Sequence, residues 1–277
     1  MAVISNVFIR FFMAAVGLYI LSCPAVAAPY HILITNDDGI DNPGLIALAH
    51  SLSKDFHITV SAPAKNMSGN SHATNLFKGP VKVDEKKTER YMSFAVHGTP
   101  ADAARFGIIR MRNSGTPVDL VISGINPGSN IGALSHLSGT IGAAMEALYY
   151  DIPAIALNLD RKAQKANGYG AATNLVKKLI GKIRKNGLPH GVMLNVNIPH
   201  NAKGRLIVPM GPNIITVKSF IKTETGYKPD ITFATAEKDK RGNDVAAYLN
   251  GYTTITPLKI DWTAQDILPQ LRSWHLE

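Results

Sequence analysis

The chain has 277 residues, 45% of them hydrophobic, a single cysteine and a formal charge of +9. That length gives an α/β domain a full core, and a lone cysteine excludes an internal disulfide framework. The basic surplus suits an anionic small molecule, a nucleic acid or an acidic membrane surface. However, its lysines are scattered through polar segments such as Lys82 to Lys87 and Lys177 to Lys185 without interleaved aromatics, which argues against a nucleic-acid polymer.

The first segment, Met1 to Ala27, has Arg10 as its only charged residue, an apolar run from Phe11 to Leu21 and small residues at Ala25-Val26-Ala27. This pattern predicts a secretory signal peptide over residues 1–27, cut near Ala27 or Ala28. Cleavage would remove Cys23, lower the charge from +9 to +8 and leave residues 28–277 as one exported domain, periplasmic or secreted and free of the membrane. The alternative is an uncleaved anchor, because Val7 to Ala28 is interrupted only by Arg10, Ser22 and Pro24.

Next comes HILITNDDGIDNPGLIALAHSL, His31 to Leu52. Ile32, Leu33, Ile34 and Thr35 read as a buried parallel strand ended by Asn36-Asp37-Asp38-Gly39. Asn42 can cap a helix that has Pro43 at its first position, with Leu45, Leu48, Ala49 and Leu52 on one face. A second strand, Ile58 to Ala62, completes a right-handed βαβ unit, which puts Asp37 and Asp38 in the crevice at the carboxyl end of the first strand. Two adjacent carboxylates there repel each other unless a cation, a proton or a donor intervenes. A hard divalent ion such as Mg²⁺ or Mn²⁺ suits oxygen ligands of this kind, and the bland alternative is a turn that aspartates merely cap.

Topology carries the polar loop Pro63 to His72 to the same edge. Val81 to Val83 and Phe94 to His97 are short strand candidates, and a helix runs from about Ala101 to Arg110. The strand Val118 to Ser123 opens into Gly124 to Gly132, where three glycines and Pro127 predict irregular backbone and Asn126 and Asn130 offer neutral oxygens. Ser138-Gly139-Thr140 starts a helix whose free N–H groups could receive an anion, or which Ser138 simply caps. His72 could shuttle a proton, although a loop histidine is more often structural.

Further on, Pro153 to Asn158 and Met193 to Ile198 read as strands, with an amphipathic helix at Ala171 to Lys185 between them. Residues 213–252 read as a projecting β arm or hairpin, Thr253 to Leu258 as a last strand, and Trp262 to Trp274 as an amphipathic segment. The alternation predicts an α/β fold, a doubly wound, mostly parallel Rossmann-like sheet with helices on both faces and a C-terminal arm.

Taken in order, the motifs resemble the SurE family of stationary-phase survival proteins. They are Thr-Asn-Asp-Asp-Gly (Thr35 to Gly39), Pro43-Gly44, Ser68-Gly69, Gly-Thr-Pro-x-Asp (Gly98 to Asp102) and Ser-Gly-Ile-Asn-x-Gly-x-Asn-x-Gly (Ser123 to Gly132). Ser138-Gly139-Thr140, Asn-Val-Asn-Ile-Pro (Asn195 to Pro199) and Thr-Pro-Leu (Thr256 to Leu258) complete the set.

The resemblance implies a 5′/3′-nucleotidase acting on nucleoside monophosphates. It implies one divalent ion per subunit, Mg²⁺ or Mn²⁺, on Asp37, Asp38, Ser68 and Asn126. Gly39, Ser138, Gly139, Thr140 and His72 would face phosphate or substrate, and Asn36 would orient a ligand or water beside Asp37 and Asp38. The arm implies a homodimer or a tetramer. Pro63-Ala64-Lys65-Asn66-Met67 lacks the acid and arginine common before the serine, Leu137 stands where a tyrosine is common, and Ala133 to His136 replace acidic residues. These departures keep in view a nucleotide-binding protein without turnover, and the basic surplus keeps in view a broad phosphatase that takes short polyphosphate.

Overall fold

The computed structural model describes residues 29–235, 237 and 240–276, so the leader read over residues 1–27 lies outside it. In chain order the elements are β1 His31–Thr35, α1 Pro43–Leu52, β2 His57–Pro63, β3 Val83–Lys87, β4 Met92–Val96, α2 Pro100–Asn113 and β5 Leu120–Pro127. A 3-10 turn, Gly132–Leu137, precedes α3 Gly139–Leu148, β6 Ala154–Leu159, α4 Arg161–Asn167, α5 Gly170–Asn186, β7 Val192–Ile198 and β8 Arg205–Ile207. The chain closes with β9 Ile215–Thr223, β10 Gly226–Phe233, α6 Asp244–Leu249, β11 Thr253–Lys259 and α7 Leu268–Arg272.

Nine strands form one sheet in the order β3-β4-β2-β1-β5-β6-β7-β11-β8. The run from β4 to β7 is parallel, while β3 and β11 pair antiparallel with β4 and β7. β1 lies between β2 and β5, so the winding reverses at β1, and its carboxyl end is the crevice where such sheets take ligands. Alternation along β1 sends Ile32 and Ile34 to one face and Leu33 to the other. Ile32 and Ile34 pack with Leu45, Leu48 and Leu52 of α1 and Val176 and Ile180 of α5. Leu33 joins Ile108 and Met111 of α2 and Ile141, Ala144 and Leu148 of α3. The doubly wound expectation therefore holds, with buried strands and a helical layer on each side.

Local chemistry explains the helix starts. Asn42 accepts from the N–H groups of Gly44 and Leu45, with Pro43 at the first position where no donor is lost. Thr99 and Asp102 form a capping box at α2, and Ser138 caps α3.

The structure corrects several expected boundaries. The strand placed at Val81 to Val83 is instead Val83–Lys87, a charged edge strand, a composition that blunts edge-to-edge pairing. β5 does not stop at Ser123 but runs to Pro127 beside β6, with its register slipping between Gly124 and Asn126. Gly124 sits at φ +147 with the Leu157 carbonyl where a side chain would go, so glycine permits the slip.

The arm is also shorter than residues 213–252. β9 and β10 pair as a separate two-stranded sheet, whereas α6 returns to the body with Asp244, Val245 and Ala247 buried. Helix α4 had no counterpart in the sequence reading. The segment Trp262 to Trp274 holds only the five-residue α7, of which no residue is buried, so its alternation packs on no core. Among the described residues no helix is long and apolar enough to cross a membrane.

Candidate active site

Asp37 and Asp38 follow β1 after Asn36 and sit at the switch point. Asp37 is 3% exposed, and its Oδ1 accepts from the Thr140 hydroxyl at 2.6 Å. Burial pushes its carboxyl above the usual range, against the pull of the Thr140 hydroxyl and backbone N–H. Asp38 is pushed up to about 7, first by burial and then by the neighbouring Asp37 charge. The Ser68 hydroxyl and, more weakly, Arg161 oppose that rise.

The loop after β2 is tied to the same place. Ile40 N–H donates to the Pro63 carbonyl at 2.8 Å, and Met67 N–H donates to the Asp37 carbonyl at 2.7 Å. The next residue, Ser68, thereby brings its Oγ to 3.5 Å from Asp38 Oδ1. Asn126 stands at the end of β5, the other parallel neighbour of β1, and its Nδ2 donates to the Gly128 carbonyl at 3.4 Å. That bond turns the amide nitrogen back into its own loop.

The remaining predicted residues divide sharply. Gly139, first in α3, lies so close that an added Cβ would stand 2.7 Å from Asp37 Cβ. Ser138 Oγ accepts from Ile141 N–H at 3.2 Å, so it serves as the helix cap. Thr140 spends its hydroxyl on Asp37, which makes it a holder of the carboxylate rather than a spare phosphate donor. Asn36 is fully buried and closes its own turn, donating to the Gly39 carbonyl at 2.9 Å while Gly39 N–H donates to its Oδ1 at 3.2 Å.

His72 is not drawn to the carboxylates. Its Nε2 lies 2.7 Å from Glu146 Oε1 in the third turn of α3, and Arg105 donates to the same oxygen at 2.8 Å. A proton shuttle to the phosphate position finds no support in that geometry.

Two neighbours of the site were missed. Arg161 donates its Nε to the Pro127 carbonyl at 3.0 Å and leaves a positive charge near Asp38. Tyr169 is raised by burial and then by Asp38. The signal available was positional: Asp160-Arg161 directly follow β6 and must emerge at the same sheet edge.

The asparagines of the Asn-Val-Asn motif also had an unread task. Asn197 Oδ1 accepts from Asn130 N–H at 2.8 Å, Asn195 Nδ2 donates to the Asn130 carbonyl at 2.7 Å, and Asn130 Nδ2 donates to Asn158 Oδ1 at 2.7 Å. Asp244 accepts from the Gly132 and Gly211 N–H groups. Together they pin the loop after β5, and Asn130 is thereby committed to structure.

A Thr140→Val variant isolates one of these contacts. Loss of the hydroxyl leaves the buried Asp37 short of a partner, with an expected stability cost of about 1–3 kcal/mol, measured by denaturant unfolding. Asp37 would also be pushed further up, so divalent-ion binding would weaken.

The family description "Survival protein SurE" matches residues 32–215. The chain belongs to the SurE family. A 5'-nucleotidase SurE from Thermoanaerobacter sp. (strain X514) is 36% identical over 259 residues, covering 89% of this chain and 98% of the relative. Another, from Campylobacter lari, is 36% identical over 254 residues, covering 88% and 97%. Among solved structures, the SurE protein from Aquifex aeolicus superposes with a TM-score of 0.74 at 30% identity, covering 88% of this chain and 99% of its own.

Whether the SurE donor set here fits a cation is decided by Asp38. Its Oδ2 is buried with no hydrogen-bond partner, and a second carboxylate adjoins it. Among the described residues no cluster of three or more His, Cys, Asp or Glu side chains could hold a metal. Two carboxylates with neutral oxygens therefore fit a hard ion that keeps water or phosphate ligands, and do not fit a thiolate- or imidazole-loving one.

Proposed function

We propose that this SurE protein is a phosphomonoesterase that hydrolyses nucleoside 5′- and 3′-monophosphates with one Mg²⁺ or Mn²⁺ per subunit. The observation that carries the reading is the adjacent pair of buried Asp37 and half-buried Asp38, with Asp38 Oδ2 itself buried and unpartnered and Ser68 Oγ 3.5 Å from Asp38 Oδ1. The names of its relatives, 5'-nucleotidase SurE, support the substrate class. Asp37, Asp38, Ser68 and Asn126 would hold the ion. When bound, such an ion supplies positive charge to a phosphoryl oxygen and lowers the pKa of bound water.

The chain's own groups do the rest. Thr140 fixes the Asp37 carboxylate, and the α3 N-terminus at Ser138 and Gly139 presents backbone N–H groups and the positive end of the helix dipole to phosphate oxygens. Arg161, held through its Nε on the Pro127 carbonyl, adds a positive charge near Asp38. The exposed β9–β10 hairpin, with Phe220, Ile221, Tyr227 and Phe233 facing solvent, supports a homodimer or tetramer built through the arm. The composition of residues 1–27 supports an exported enzyme.

The test is phosphate release from AMP. Purified protein should be active with Mn²⁺ or Mg²⁺ and inactive in excess chelator, with activity returning on readdition of the ion. Release that continues undiminished after chelation overturns the metal-dependent reading. Tight AMP binding without release under either ion would mark a binding protein instead.

A further inference from the structure

A cavity of about 240 Å³ opens beside α3, bounded by Ser138, Ile141, Gly142 and Met145 on the helix and by Leu258 and Trp262 across from it. Those four helix positions fall at i, i+3, i+4 and i+7, so the cavity follows one face of α3 for two turns, about 10 Å at 1.5 Å per residue. Its near end is the Ser138 cap, one residue from the Gly139 contact with Asp37. Its far wall is aromatic: Trp262 stands edge-on to His136, ring centroids 5.9 Å apart. Ser71, His72, Lys259 and Asp261 place polar groups around this apolar lining.

We infer that this cavity takes the nucleobase of the substrate, stacked against Trp262, while the phosphate lies at the N-terminus of α3. The inference rests on the phosphomonoesterase reading for the phosphate position alone. Three features single out a base. The distance along α3 separates the phosphate and base ends of a nucleotide, the volume suits a small planar ligand, and an indole face stacks on any base. A second opening of about 300 Å³ beside Asp38 is lined by Asp41, Asn42, Lys65 and Asn66 and offers no ring. Trp262 lies beyond the stretch 32–215 that the family description matches.

Trp262 and Trp274 are the only tryptophans, so Trp274→Phe leaves Trp262 as the sole indole reporter. Adenosine, which carries no phosphate, is expected to quench its emission saturably, whereas ribose is not. The absence of saturable quenching by adenosine overturns the inference. Trp262→Ala is expected to raise KM for AMP roughly tenfold while hydrolysis of ribose 5-phosphate stays unchanged. Trp262 is 73% exposed, so its loss spares the fold, and an unaltered thermal melt checks this. An equal effect on both substrates, or none on either, overturns base stacking and leaves the esterase reading standing. Failure to release phosphate from any substrate overturns the esterase reading, and the quenching result still decides the base site.

Discussion

Asp38→Ala is expected to lower phosphate release from AMP by roughly three orders of magnitude or more, since on the proposed reading it removes a ligand of the divalent ion and with it several kcal/mol of transition-state stabilisation. Isothermal titration with Mn²⁺ should show the matching loss of affinity. The reason lies in where Asp38 stands. Its Oδ2 is buried without a partner, and its carboxyl is held up at about 7 by burial and by Asp37. In the protein without an ion, this group is a cost to the fold that only a cation or a proton relieves.

A stability measurement separates that account from simple unfolding of the variant. An acid whose folded pKa lies above its ordinary 3.8 keeps its proton in the fold after the unfolded chain has lost it. Stability in chelator should therefore fall as pH rises from about 4 to about 7, and level off above. Asp38→Asn removes this contribution. It should melt higher than the parent in chelator at pH 8, lose the part of the pH dependence that Asp38 supplies, and still be inactive. The same proton competes with the ion, so parental Mn²⁺ affinity should climb with pH up to about 7 and then flatten. An Asp38→Asn protein that melts lower than the parent in chelator would remove the repulsion argument.

Much of this arrangement could be read in the chain because it depends on short-range rules. The abrupt change from Ile32-Leu33-Ile34-Thr35 to Asn36-Asp37-Asp38-Gly39 marks a strand end, and parallel topology then dictates which loops share an edge. What stayed hidden depends on contacts between distant residues. Asn36 looked like a free polar group, yet its amide is consumed in closing its own turn with Gly39. Thr140 looked like a phosphate donor, but its partner, Asp37, lies 103 positions away. The arm was overextended because charges surround α6, while a single buried acid, Asp244, bonds backbone N–H groups at Gly132 and Gly211 and draws the chain back to the body. His72 was ambiguous by sequence, since its partner Glu146 sits 74 residues on. Departures from the family pattern at Ala64 to Met67 leave the anchoring bond intact, because Met67 donates through its backbone.

Gly139→Ala should lower activity by about two orders of magnitude, although no functional group is removed. An added Cβ would stand 2.7 Å from Asp37 Cβ, 2.9 Å from Asp37 Oδ2 and 3.1 Å from Pro100 Cγ. None of these neighbours is a flexible side-chain end. Asp37 is fixed by β1 and by Thr140, and Pro100 is the buried first residue of α2. The displacement must be taken by the start of α3, the element proposed to face the phosphate. A shift of about 1 Å in a positioning element costs on the order of a hundredfold in rate. The expected result is therefore a fall in kcat/KM of roughly that size, with an overpacking penalty of about 1–3 kcal/mol in denaturant unfolding. Gly181, inside α5 with nothing within 4 Å of an added Cβ, supplies the contrast. Gly181→Ala should be stabilised by about 0.5–1 kcal/mol through helix propensity alone and retain full activity. If Gly139→Ala keeps parental kcat/KM, the close approach of α3 to Asp37 does not set the geometry of the reaction, and phosphate must be held elsewhere along the crevice.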